Sequence, residues 1–146
     1  MLVAVDDSHA SRRVVSFVNA FFAGLDVEVI GICVGAEPAA WIPGGLTAGA
    51  SFYWPYMGEL PVPTSEDRAD AIRAAERLVE ASGLRDDEVI AELGDPVLQL
   101  CNAAVEHTAD LIVVGDNHKR GWRRLLEGSV TTDLQHQAPC PVLIVP

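Results

Sequence analysis

Apolar residues in this chain gather into five short segments, separated by stretches in which they recur every three or four positions. The first segment is Leu2 to Asp6, the second Val27 to Val34, the third Glu88 to Leu93, the fourth Leu111 to Val114 and the last Val142 to Val145. Short apolar runs rich in Val and Ile, bounded by turn residues, predict strands buried on both faces. Between them the period lengthens to that of a helix. Ser8 caps a helix carrying Val14, Val15, Phe17, Val18 and Phe21, which Gly24 ends. Thr64 or Ser65 opens a second, with Ala71, Ile72, Ala75, Leu78 and Val79 on one face and Gly83 at its close. Asp95-Pro96 opens a third that runs to about His107, since aspartate caps free amides and proline has no amide to leave unsatisfied at the first helical position. Gly128 to about Gln137 predicts a fourth, ended by Pro139.

Strand and helix alternate throughout, and parallel strands need helical crossovers that cover both faces of the sheet. The prediction is a three-layer α/β fold on a five-stranded parallel sheet. In such sheets ligands lie beyond the carboxyl ends of the strands, where the direction of winding reverses. The loops after the first and fourth strands are therefore the ones to inspect: Asp6, Asp7 and Ser8 in the first, Gly115 through Gly121 in the second.

The chain has 146 residues, one domain's worth, spanning 1–146 without an internal repeat or linker. A long irregular segment at about 36–63 interrupts it. That segment holds Trp41, Phe52, Tyr53, Trp54, Tyr56 and Met57 among prolines and glycines, and rings in such number predict packing near the site or across a dimer interface. No apolar run approaches the ~20 residues that span a bilayer, and the chain enters its first strand without a cleavable leader, so a cytoplasmic protein is expected. With 10 basic and 21 acidic residues, a net charge of −11 argues against nucleic acid and anionic lipid as partners. Lys119, Arg120, Arg123 and Arg124 form a basic cluster against that background. Cys33, Cys101 and Cys140 are odd in number and scattered in apolar stretches, which reads as small buried hydrophobes and not as metal or redox chemistry.

Five stretches in order, Val3-Ala-Val-Asp-Asp-Ser8, Gly94-Asp-Pro96, Asp110-Leu-Ile-Val-Val-Gly115, Arg124-Leu-Leu-Glu-Gly-Ser-Val130 and Ala138-Pro-Cys-Pro-Val-Leu-Ile-Val145, resemble the universal stress protein family. The resemblance implies a Rossmann-like domain of the adenine nucleotide alpha hydrolase-like type, strand order 3-2-1-4-5, often dimeric, some of whose members bind ATP. Those members carry a glycine, two residues, a second glycine, nine residues, then glycine with Ser or Thr. Here Gly115 matches the first position and Gly128 with Ser129 the last pair, while His118 stands at the middle glycine. A glycine there permits φ > 0 and close backbone approach to phosphate.

The resemblance further implies an adenine against Val5 and Val34 with Asp6 at its edge. The amides of Gly115 to His118 and of Ser129, Val130 and Thr131 would cradle the phosphates; Mg²⁺ is expected only as a companion of bound phosphate, since a hard cation takes its oxygen ligands mainly from phosphates and waters. Asp6 has a second reading, as part of the cap of the following helix beside Ser8. It also implies a homodimer through Val142, Leu143, Ile144 and Val145, an edge strand bounded by prolines. No Walker loop, nucleophile elbow, zinc-ligand spacing or dinucleotide fingerprint is legible, so the reading is not of an enzyme, or at most of a weak ATPase. Two functions stay open: a stress-response or signalling module that binds ATP or another adenine nucleotide, and a nucleotide-independent interaction module of the same fold.

Overall fold

A computed structural model describes residues 1–38, 63–116 and 130–146. Its elements, in chain order, are β1 (Leu2–Ala4), α1 (His9–Phe21), β2 (Ile30–Gly35), α2 (Ser65–Ala81), β3 (Glu88–Leu93), α3 (Pro96–Glu106), β4 (Ile112–Gly115), α4 (Val130–Gln137) and β5 (Val142–Val145). The five strands form one parallel sheet in the order β3-β2-β1-β4-β5. Most of segment 36–63, the basic cluster, His118, Gly128 and Ser129 lie outside the described residues.

The helices begin where side chains satisfy their first amides. Ser8 Oγ accepts the Ser11 N–H at 3.1 Å, and Asp95 Oδ1 accepts the Leu98 N–H at 2.8 Å with Pro96 at the first helical position. Thr64 makes a reciprocal box with Asp67: its hydroxyl accepts the Asp67 N–H at 3.2 Å, and the Asp67 carboxylate accepts the Thr64 N–H at 2.7 Å.

Two apolar layers sandwich the sheet. Val3, Val5, Val14, Val18, Cys33, Val79, Val113 and Val145 fill the side under α1 and α2. Leu2, Ile32, Leu100, Ile112, Val114 and Leu134 fill the side under α3 and α4. Each fully buried aliphatic side chain stabilises the fold by about 1.5–3 kcal/mol relative to an exposed one. At Gly31, a Cβ would come within 2.5 Å of Val79 Cγ1, so its bare backbone is what lets α2 lie on β2.

Three sequence expectations shift. The second strand starts at Ile30 and not Val27, because the Val27 N–H turns back to Leu25 O and the Val29 N–H is taken by the Asp87 carboxylate at 2.8 Å. The first strand stops at Ala4, although the Val5 N–H still reaches Ile32 O at 2.8 Å. Of the cysteines only Cys33 is buried; Cys101 and Cys140 are half-buried at the edge of the α3–α4 layer, all three as free thiols. Among the described residues no helix is long and apolar enough to cross a membrane.

Candidate functional site

The strand order puts β1 beside β4, with chain crossing left from β1 to β2 and right from β4 to β5. This is the reversal at which open α/β sheets form a crevice. Register pairs Val3 with Val113, which sets the ends of both strands level, so Asp6 and Gly115 emerge at the same edge.

The turn after β1 is held by an interlocked set of short-range bonds. The Asp6 N–H donates to Ser11 Oγ at 3.0 Å, the Ser8 N–H donates to Asp6 Oδ1 at 2.9 Å, and Ser8 Oγ caps the Ser11 amide. Asp6 thus takes part in building the start of α1, in line with its second reading, while remaining exposed. Ser11 is 4% exposed, and nothing in the helical pattern signalled a buried hydroxyl there. Its role emerges only when the turn folds back on the helix.

Gly115 sits against α1. A Cβ at this position would lie 2.8 Å from Ala10 Cβ and 3.0 Å from Ala10 carbonyl carbon, so glycine is required for α1 to seat on β4. Beyond it the Asp116 N–H donates to Val145 O at 2.8 Å, which carries the pairing with β5 one residue past β4. Val5 is buried in the α1–α2 layer, and Val34 is half-buried against the opposite one. Of the other anticipated residues, Val130 and Thr131 are the first two of α4. His118, Gly128 and Ser129 fall outside the described residues.

The described part of this edge is negative. Asp6, Asp7, Asp95 and Asp116 cluster at strand ends or the turns after them. Burial first, and then the charges of Asp6 and Asp7, push the Cys33 thiol above its ordinary pKa, so this field reaches into the sheet. An open cleft of about 290 Å³ runs from Asp6 and Asp7 along the groove between α1 and α2, past Arg12 and Val15 to Leu78 and Ser82. Among the described residues no group of three or more His, Cys, Asp or Glu is arranged to hold a metal ion.

Glu37, just past β2, pairs with Arg68 in the first turn of α2 at 2.5 Å and ties together the two ends of the long segment. Both side chains are about half exposed, so the pair contributes little to stability. Separated by 31 residues, they carry no sequence signal of their pairing.

A family model described as the Universal stress protein family matches residues 1–146. A universal stress protein of Methanocaldococcus jannaschii is 28% identical over 146 residues, covering 99% of this chain and 80% of that protein. Among solved structures, a universal stress protein in complex with cAMP superposes with a TM-score of 0.56 at 24% identity, covering 99% of this chain and 95% of the other. The universal stress protein of Archaeoglobus fulgidus in complex with dAMP does so with a TM-score of 0.52 at 23% identity, over 99% and 95% of the two chains. At these identities the likeness to solved structures is one of fold.

Proposed function

We propose that this chain, which belongs to the universal stress protein family, is a stress-response or signalling module that binds ATP or another adenine nucleotide at the ends of β1 and β4. The observation that carries the reading is the strand order, which makes the β1–β4 junction the crevice of the sheet, with Asp6 one residue beyond the level of Gly115 there. Relatives of the same fold captured with cAMP and with dAMP support an adenine nucleotide as the class of ligand.

In this reading the base lies near Val5 and Val34, with Asp6 at its edge. The backbone from Gly115 to His118 and the amides of Ser129, Val130 and Thr131 receive the phosphates, as the positive end of a helix favours anions. The acidic strand ends oppose a phosphate chain. Lys119, Arg120, Arg123 and Arg124, and Mg²⁺ brought in on the phosphates, supply the balancing charge. In this reading the chemistry is binding and release, with any ATPase activity weak.

Isothermal titration of nucleotide-stripped protein with Mg-ATP, AMP and cAMP tests this. Saturable micromolar binding that is lost in Gly128→Trp is the expected result. Absence of binding by every one of these nucleotides overturns it in favour of the second reading, a nucleotide-independent interaction module, which His118 at the middle glycine favours.

The proposal extends to self-association. β5 is an edge strand whose residues Val142, Leu143 and Ile144 are only half-buried, and pairing Val142–Val145 with its twin across a two-fold axis would cover it.

A further inference from the structure

Two of the three cysteines meet on one side of the sheet. Cys33 is buried under α1 and α2, whereas Cys101 in α3 and Cys140 in the turn between α4 and β5 both pack against the opposite layer. The Cys101 thiol points at the end of α4, where Sγ donates to Gln137 O at 3.6 Å. Cys140 stands three residues beyond Gln137, about 10 Å along the chain at full extension. The backbone bends at Pro139 and Cys140, so the true separation is shorter.

That turn has little freedom. At its start the Ala138 N–H donates to Leu134 O at 2.9 Å, and at its end Pro141 O accepts the Ile112 N–H at 3.0 Å. Pro139 and Pro141 fix φ on both sides of Cys140. Cys140 is thus held beside the carbonyl that the Cys101 thiol touches, although the two lie far apart in sequence. Charge reports the same proximity. Burial first, and then the charge of Asp95, push the Cys101 thiol above its ordinary pKa. For Cys140 burial, then Asp110, then Cys101 itself push the thiol up, while an Ile112 amide and the amino terminus pull it down. The second thiol therefore lies in the field of the first. Both are free and half-buried, open to a small reagent. Asp95 and Asp110 beside them repel an anionic oxidant and leave an uncharged one free to approach.

We propose that Cys101 and Cys140 are a dithiol pair that closes to an intramolecular disulfide, tying α3 to the turn that leads into β5, and that its oxidant is a small uncharged disulfide. One cysteine, as thiolate, attacks a sulfur of the small disulfide. A mixed disulfide forms, and the first small thiolate leaves and takes up the proton that the cysteine gave up. The second cysteine, also as thiolate, attacks the protein sulfur of that mixed disulfide. The Cys101–Cys140 bond forms, and the second small thiolate leaves and is protonated in turn. The pair loses two electrons, and the small disulfide is reduced to two thiols. The loop closed in this way is about 40 residues long, and such a cross-link restricts mainly the unfolded chain.

The test treats native wild type, Cys101→Ser and Cys140→Ser at micromolar concentration with 2-hydroxyethyl disulfide at about pH 8.5. Each is then unfolded in N-ethylmaleimide and read by intact mass and tryptic peptides, and the melting midpoint is taken before unfolding. Expected for wild type is a single chain with one maleimide, on Cys33, and with peptides 86–119 and 125–146 joined through Cys101 and Cys140. Its midpoint should rise by about 5–10 °C over the reduced protein. Each serine variant should stop at a mixed disulfide on its remaining partner cysteine. Wild type that carries the small thiol on Cys101 or Cys140 without joining them overturns the pair. So does a native protein whose thiols all stay free for a day while the unfolded chain reacts. Joining between two chains, or to Cys33, overturns the intramolecular assignment. A joined form that melts no higher than the reduced one shows that the bridge strains the fold, and overturns it as a native device.

Discussion

Gly115 and Ala10 touch without room for a side chain between them: a Cβ on Gly115 would stand 2.8 Å from Ala10 Cβ, 3.0 Å from its carbonyl carbon and 3.1 Å from its carbonyl oxygen. The first turn of α1 is therefore seated directly on the end of β4, at the crevice where the proposed nucleotide site lies. The glycine that reads in the sequence as the first member of a phosphate loop has a steric duty to the fold, independent of any ligand.

Gly115→Ala is accordingly expected to lower stability by about 1–3 kcal/mol, as overpacking of a tight contact does. Urea denaturation of the single and double variants measures it. Ala10→Gly placed on top should recover only part of the loss, because it removes the contact with Cβ and leaves the two backbone contacts. Full stability of Gly115→Ala would mean that α1 slides away at little cost.

His118→Gly restores the missing glycine of the nucleotide-binding pattern. If the histidine side chain stands in phosphate space, Mg-ATP affinity measured by calorimetry rises about tenfold, equivalent to about 1.4 kcal/mol. An affinity that falls instead would assign His118 a direct bond to phosphate.

Hydrogen bonds from the Thr64 backbone, and then from its hydroxyl, hold the Asp67 carboxyl below the usual aspartate range. A carboxyl lowered in the folded state adds stability above its unfolded pKa and loses it as pH falls through the folded value. Protection of the first-turn amides of α2 against hydrogen exchange should therefore hold at pH 5 and above and fall away below about pH 4. In Asp67→Asn this pH dependence should disappear; a wild-type profile in that variant would show that another group governs the helix end.

Thr108, the second residue beyond α3, has φ of +47°, in the left-handed region that a β-branched residue adopts at a cost. It is exposed and makes its bond through the backbone, Thr108 N–H to Val105 O at 3.2 Å. Thr108→Gly should raise stability by about 0.5–1 kcal/mol, the relief of strain exceeding the entropy glycine adds to the unfolded chain. Thermal unfolding with an unchanged or lower midpoint would refute this.

Much of the fold was legible because its signals are local. Ser8, Thr64 and Asp95 each satisfy an amide three residues away, and a cap needs no other part of the molecule to be recognised. The inner strands β1, β2 and β4 were legible as apolar runs for a related reason: a strand covered on both faces has no polar side to show, whereas edge strand β3 keeps Glu88 and Glu92 exposed. The boundary at Val27 was not, since the groups that withdraw Val27 and Val29 from the ladder are Leu25 O in a turn and an Asp87 carboxylate 58 residues away. Cys101 and Cys140 read as core from their apolar neighbours but lie at the layer's edge, where the surface curves away and apolar composition no longer means burial.

The candidate site divides along the same line. That Asp6 and Gly115 stand at strand ends follows from sequence alone, and the strand order from the family resemblance. Which glycine is needed for packing, that Ser11 is buried beneath the Asp6 turn, and that Glu37 meets Arg68 were decided by the tertiary structure. Periodicity specifies which face of an element is apolar, but contacts between distant residues depend on how closely and at what angle the layers pack. Those distances are set only when the whole sheet and its helices are in place.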